Sequence, residues 1–413
     1  MVNDVVDADS HIIEPRDTWV AYLARHHADI ALRIVDEPFE IDGFHGNRSY
    51  LKFQDRKLFE VAGVAPLGTE LLRKQSERIF TNPVTALSRE GYGQIQKCVM
   101  PYDYQSPAAA WDPVARLQWM SERRIGQALI TPTWGSMWEQ HLAGFPSAIT
   151  ANMTAYNRWL LSFCSTDSAR LVPVGQLSLV DTVWAEQELQ ELSAMGVPAI
   201  LLRPVLYAGL PLGHANFDRF WSALEDANMA VYFHIAGCGT GDEFFFDKAW
   251  FFDEATGQHS GLTWAVMSHV PVMLALTNMV RMGVFRRHPR LRVAVVEQGA
   301  GWVKPWLDLF DDAIHLAYLK DPALRVNCPE LPSTYINAHV WFTALDSESL
   351  PEILRTVPHD RLLFSSDYPH PESPFDPVAE FSDRLGNVEA GLAKRLMSLN
   401  AQEYIRGSAA VVN

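Results

Sequence analysis

Short runs of apolar, often β-branched residues recur along the chain, and between them lie stretches whose apolar residues fall three and four positions apart. The runs occupy 5–9, 127–131, 171–177, 199–203, 229–234, 292–297, 340–344 and 361–366. The segments DPVARLQWMSERRI (112–125), VWAEQELQELSAMG (183–196) and FDRFWSALEDAN (217–228) carry the helical period. Gly196 and Asn228 close two of these segments just before the next strand, as residues that tolerate left-handed backbone do. Strands alternating with helices predict a parallel sheet, and eight strands are the number that closes a barrel. An open doubly wound sheet would instead need a glycine-rich phosphate turn after its first strand. Here the first strand runs into DSHIIEP, and the glycine-rich GCGTG (237–241) has no helix-forming segment directly behind it. The pattern predicts an α/β fold, a (β/α)8 TIM barrel, as a single domain over 1–413.

Two segments interrupt the repeat. Residues 36–110 separate the first two strands and are too long for a bare loop. They hold LFEVAGVAPLG, the arginine-rich LLRKQSERIF and MPYDYQSP, and read as an inserted cap or an oligomer arm. Residues 238–264, after the fifth strand, gather Phe244, Phe245, Phe246, Trp250, Phe251 and Phe252. Such a cluster packs a loop down or fills an interface. The sharper, less common reading is a lid over an apolar or aromatic substrate, with Phe246 as a candidate contact, and the two readings are compatible.

Composition narrows the partners. Lys plus Arg is 34 against 49 Asp plus Glu, a net charge of −15 that disfavours nucleic acid or an anionic membrane as the main partner. Cys98, Cys164, Cys238 and Cys328 are far apart and form no CxxC pair, which suits a reducing compartment and offers no zinc knuckle. The N-terminal MVNDVVDADS has no basic, then apolar, signal pattern. No run of about 18 apolar residues occurs. The expectation is a soluble cytoplasmic protein acting on a small molecule.

Catalytic groups of such a barrel lie at the C-terminal ends of its strands. Asp9 and His11 end the first strand, Arg203 the fourth, His234 the fifth, Glu297 the sixth and Asp367 the eighth. Residues two apart on a strand share a face, so Asp9 and His11 point together. Two carboxylates and two imidazoles make a ligand set for one divalent metal. Each residue has a plainer reading. His234 alone is a hydrogen-bonded core histidine, and Asp367 can open the turn SDYPHP. Arg203 can form a rim salt bridge rather than a bidentate contact to a substrate carboxylate. His370 either packs that turn or touches substrate, and His269, on a predicted helix, reads as structural. No GxSxG elbow supports a metal-free serine mechanism.

DADSHIIEP, the fifth-strand HIAG, the run GVFRRHPRLRVAVVEQGAGW (283–302) and SSDYPHPES together resemble the amidohydrolase-related metal-dependent hydrolases. That branch of the amidohydrolase superfamily includes aminocarboxymuconate-semialdehyde decarboxylase. The resemblance spans nearly the whole chain apart from 36–110. It implies a distorted barrel, a homodimer, and one divalent ion on Asp9, His11, His234 and Asp367, with zinc first and manganese or iron as alternatives. The sequence departs from the decarboxylase type twice: Asp9 stands for His or Glu, and Glu297 for a histidine after the sixth strand. Glu297 then serves as general base or as a metal ligand, and Asp367 as proton acceptor besides ligand. Arg203, His370, Trp302 and Phe246 are the candidate substrate contacts. The leading expectation is hydrolysis of an amide, ester, thioester or C–C bond. Non-oxidative decarboxylation of an aromatic or unsaturated acid comes second, and a non-catalytic scaffold third.

Overall fold

The computed structural model describes residues 4–41, 44–61, 64, 102, 106–235, 252–253, 258–259, 266–370 and 373–407. Its strands, in chain order, are β1 (Val5–Ile12), β2 (Leu32–Ile41), β3 (Phe44–Phe53), β4 (Arg56–Val61), β5 (Ile125–Pro132), β6 (Leu171–Gln176), β7 (Ala199–Leu201), β8 (Ala230–His234), β9 (Phe252–Asp253), β10 (Gln258–His259), β11 (Val293–Val296), β12 (Val340–Thr343) and β13 (Leu362–Leu363). Eight of them form one parallel sheet in the order β1-β5-β6-β7-β8-β11-β12-β13. These are the eight strands predicted from the sequence. The sheet closes on itself: Ala8 N donates to Phe364 O at 2.9 Å, Asp367 N to Asp9 O at 2.9 Å, and His11 N to Tyr368 O at 2.6 Å. The fold is the (β/α)8 TIM barrel that the alternation predicts. Parallel strands are covered on both faces, which explains why they read as unbroken apolar runs. Every residue of β6, β7, β8 and β11 is buried.

The three predicted helical segments are helices at Pro113–Glu122, Thr182–Ala194 and Asp218–Asp226. Side-chain caps fix two of their starts. The Asp112 carboxylate accepts Ala115 N at 2.7 Å, and Asp181 accepts Val183 N and Trp184 N at 3.0 Å each. Gly196 and Asn228 end two of them with φ of 81° and 51°, the left-handed turn that the sequence placed there.

The chain divides into two compact units, Asp9–Leu171 with Ser366–Glu380, and Asp4–Ala8 with Val172–Ser365 and Phe381 onward. In the first, β2, β3 and β4 form a three-stranded antiparallel sheet from Leu32. The buried Leu32 and Ile34 alternate with the exposed Arg33 and Val35, the pattern of a half-covered sheet. Asn152, on the helix Pro146–Cys164, holds this edge: its Oδ1 accepts Leu32 N at 2.9 Å, and its Nδ2 donates to Ile30 O and Ala148 O at 2.8 Å. The later part of the insertion and nearly all of 238–264, Phe246 included, lie outside the described residues. Among the described residues no helix is long and apolar enough to cross a membrane.

In the second unit, Phe220, Trp221 and Leu224 form the buried face of the helix Asp218–Asp226, and Trp221 Nε1 donates to Leu212 O at 2.9 Å. Next to Leu212, a Cβ on Gly213 would lie 2.6 Å from Met282 Cβ and 2.9 Å from the Asn278 carbonyl oxygen. Backbone cannot swing aside as a side chain can. Gly213→Ala is therefore expected to cost about 1–3 kcal/mol, read as a lower urea midpoint, and an unchanged midpoint would disprove this packing.

Candidate metal centre

In the first unit, alternation along β1 points Asp9 and His11 to the same side. His11 Nε2 lies 3.1 Å from Asp9 Oδ1 and 3.5 Å from Asp367 Oδ1. Asp367 arrives by the direct bonds between β1 and the end of the last strand. His370 Nδ1 sits 2.9 Å from the same Asp367 oxygen, and its ring stacks on His11 with centroids 4.1 Å apart. The ligating atoms of His11, Asp367 and His370 lie within 4.8 Å of one another. Asp9 and His11 are fully buried, whereas Asp367 and His370 keep 14% and 16% of their side-chain surface, so the cluster opens to solvent on their side.

The protons on His11 can be assigned from its partners. Nδ1 lies 2.8 Å from Pro132 O, and a carbonyl oxygen only accepts, so Nδ1 carries a proton. Nε2 is then the atom that faces two carboxylate oxygens. A bare lone pair there would be repelled by both, so that point needs a positive charge, either a proton or a cation. Imidazole nitrogen with carboxylate oxygen is the donor chemistry of zinc and manganese sites, and a carbonyl on the far ring nitrogen is how ligating histidines are usually held. The residues fit a divalent ion.

In the second unit, the β8–β11 register sets His234 opposite Val296, one residue before Glu297. His234 Nε2 and Glu297 Oε2 are 3.0 Å apart, the histidine buried and the glutamate 15% exposed. Glu297 N donates to Thr343 Oγ1 at 2.9 Å. Its φ is 57° and that of Asp367 is 54°, both left-handed. Non-glycine residues held there carry local strain, which gathers at functional sites. Arg203 is buried two residues past β7, and its carbonyl accepts Tyr207 OH at 3.3 Å. Trp302 donates its Nε1 to Gln298 O and Gly299 O at 2.9 and 3.1 Å and stacks on His269 at 5.5 Å, so both residues pack the start of the helix Val303–Lys320.

Residues 6–406 match the amidohydrolase family model. The chain belongs to the amidohydrolase family. It is an enzyme of that superfamily, as the motifs implied. Among solved structures, an amidohydrolase from Mycobacterium avium subsp. paratuberculosis is 24% identical, covers 97% of this chain and 99% of its own, and superposes with a TM-score of 0.75. The 5-carboxyvanillate decarboxylase from Novosphingobium aromaticivorans, complexed with manganese and 4-hydroxy-3-methoxy-5-nitrobenzoic acid, is 15% identical over 98% and 99% of the two chains, TM-score 0.59. The 2,6-dihydroxybenzoate decarboxylase from Rhizobium is 18% identical over 84% and 99%, TM-score 0.55. At these identities the likeness speaks for the fold.

Two residues of this amidohydrolase beside His11 escape sequence reasoning. Arg116 is fully buried. It donates Nη2 to His11 O, Nη1 to Ser10 Oγ at 2.9 Å and Nε to Ala109 O at 2.6 Å, and its guanidinium lies 4.8 Å from the Tyr368 ring centre. Glu14 is also fully buried; its carboxylate accepts Gly135 N at 2.7 Å and Trp134 N at 3.2 Å. It also borders a cavity of about 250 Å3, with Ile13, Pro15, Arg16, Tyr102 and Trp111 among the other walls. Their partners are about a hundred residues away in sequence, so no local spacing reveals them. The available signal is an acid or base set among apolar residues, as in HIIEP and DPVARL.

Burial pushes the Glu14 carboxyl up to about 7 from its ordinary 4.5, outweighing the two amides that favour the anion. Between those values the folded chain keeps this proton and the unfolded chain releases it. The stability that the retained proton represents is therefore full below about 4.5, falls as pH rises, and is lost above about 7. Glu14→Gln does not titrate. In chelator-treated protein, the stability of this variant minus that of the wild type is expected to rise by roughly 2–4 kcal/mol between about pH 4.5 and 7.5. Urea unfolding at several pH values reads this, and a flat difference would rule out the shift.

Proposed function

We propose that this chain is a metal-dependent hydrolase cleaving an amide, ester, thioester or C–C bond beside a carbonyl in a small apolar or aromatic substrate. In this reading Asp9, His11, His234 and Asp367 hold one divalent ion, zinc first and manganese next. The observation that carries it is the Glu297 carboxylate, part-exposed and 3.0 Å from the His234 imidazole, where the decarboxylase relatives implied by the motifs have a histidine. A bound divalent ion supplies a polarised carbonyl and a water acidic enough to ionise near neutral pH. Glu297 takes the proton of the attacking water and returns it to the leaving group. His370 donates Nδ1–H to Asp367 and holds that carboxylate in place. Arg203 orients an anionic substituent. An apolar cavity of about 150 Å3 accepts a benzene ring. The cavity beside Glu14, at about 250 Å3, suits a substituted single ring. The cytoplasmic location and the homodimer belong to the same proposal.

A second reading, non-oxidative decarboxylation of an aromatic acid, draws support from the same cavity, whose walls carry the Tyr102 and Trp111 rings. Product analysis in 18O-labelled water separates the two readings. Label in the organic product supports hydrolysis, whereas release of carbon dioxide with an unlabelled organic product rejects it. Glu297→Gln is expected to keep its metal and lose turnover by roughly 100-fold or more, and an unchanged rate removes Glu297 from the mechanism. Protein purified without added metal should carry close to one equivalent by elemental analysis; less than about a tenth would favour a non-catalytic scaffold.

A further inference from the structure

One segment reaches both His11 and His370. It is the end of β5 with the turn behind it, residues 132–136. Pro132 O takes the Nδ1 proton of His11 at 2.8 Å, and Thr133 Oγ1 sits 3.4 Å from His370 Nε2. The turn is in turn held by Glu14, whose two carboxylate oxygens accept Gly135 N at 2.7 Å and Trp134 N at 3.2 Å. Glu14 itself is fixed, since its backbone carbonyl accepts Tyr102 OH at 2.9 Å. It lies three residues past His11 in the same extended stretch. The carboxylate therefore links the chain that carries His11 to the turn that sets the proton on its ring.

We propose that Glu14 is a positioning residue of the metal centre: by gripping the Trp134 and Gly135 amides it holds Pro132 O on His11 Nδ1, and so keeps His11 Nε2 as the ligating nitrogen. This rests on the metal reading above. The site needs a group that accepts two adjacent amides at once. Above about pH 7 the ionised carboxylate does so with two oxygens, whereas the amide of Gln has one acceptor and turns N–H against N–H at the other. Asp keeps both acceptors but is one methylene shorter. If the turn loosens, the Nδ1 proton loses its acceptor, and the tautomer with the proton on Nε2, which cannot ligate, becomes accessible. Burial keeps water from replacing the lost contact.

Titration of the metal-free protein with cobalt(II), followed by visible absorption, tests this. Wild type should bind with a defined d–d band; failure of wild type to bind would defeat the metal reading itself, and this inference with it. Glu14→Gln should bind about 10- to 100-fold more weakly, with a changed band, while its far-UV circular dichroism stays that of wild type. Glu14→Asp should fall between them, and it carries the comparison if the Gln variant does not fold. A purely structural Glu14 would lower the melting temperature and leave the band shape and cobalt affinity of the folded variant unchanged. Cobalt affinity within twofold of wild type, with an identical spectrum, overturns the inference and leaves the metal reading standing.

Discussion

Nε2 of His11 faces carboxylate oxygens of Asp9 at 3.1 Å and Asp367 at 3.5 Å, while Nδ1 is engaged by a backbone carbonyl. Two acidic side chains thus crowd one imidazole nitrogen, and positive charge at that point would relieve their mutual repulsion. The backbone makes the encounter unavoidable. Asp367 N donates to Asp9 O and His11 N to Tyr368 O, so the acids from opposite ends of the chain are joined by the bonds that close the sheet. Separating them would mean opening the barrel seam, which costs far more than the repulsion. The electrostatic demand is thus fixed by the fold before any ligand arrives.

The backbone of the two partly exposed acids supports a role in chemistry rather than in packing. Glu297 and Asp367 sit at φ of 57° and 54°. A glycine would occupy such a position without strain, and an acid there costs of order 1–3 kcal/mol. The surroundings hold each in place: Thr343 Oγ1 takes the Glu297 amide, and the Asp367 amide and carbonyl bond Asp9 O and His370 N. A turn needing only a reversal of direction would favour Gly or Asn. Keeping a carboxylate makes sense where the side chain must be aimed.

Much of this was legible in the sequence, and the misses have a common cause. The barrel strands were readable because burial on both faces leaves most of them largely apolar, although β1, VVDADSHI, carries Asp7, Asp9, Ser10 and His11. β13 is only Leu362–Leu363 where 361–366 was expected, because beyond it the chain trades regular pairing for the seam bonds to β1. Asp9, His11, His234, Glu297 and Asp367 could be named as candidates because strand ends are positions, and positions can be counted. Glu14 and Arg116 were missed because their roles depend on partners such as Gly135 and His11, 121 and 105 residues away.

Arg116 shows how far local pattern misleads. The helical period of DPVARLQWMSERRI favours Val114 for the inner face, yet Val114 is 65% exposed and Arg116 is fully buried. What turns the helix this way is the backbone of β1. The His11 carbonyl, the Ser10 hydroxyl and the Ala109 carbonyl present three acceptors that only a forked donor can reach together. The Tyr368 ring, stacked on Trp119 at 3.9 Å, closes over the guanidinium face. A lysine would bring the same charge with one nitrogen in place of three. It could not bind Ser10, His11 and Ala109 at once, nor lie flat against the ring of Tyr368. The residue therefore acts on the site through shape as much as charge. It fixes the backbone from which His11 projects and, through Tyr368, the residue beside Asp367, which ties the positions of His11 and Asp367 to one buried cation.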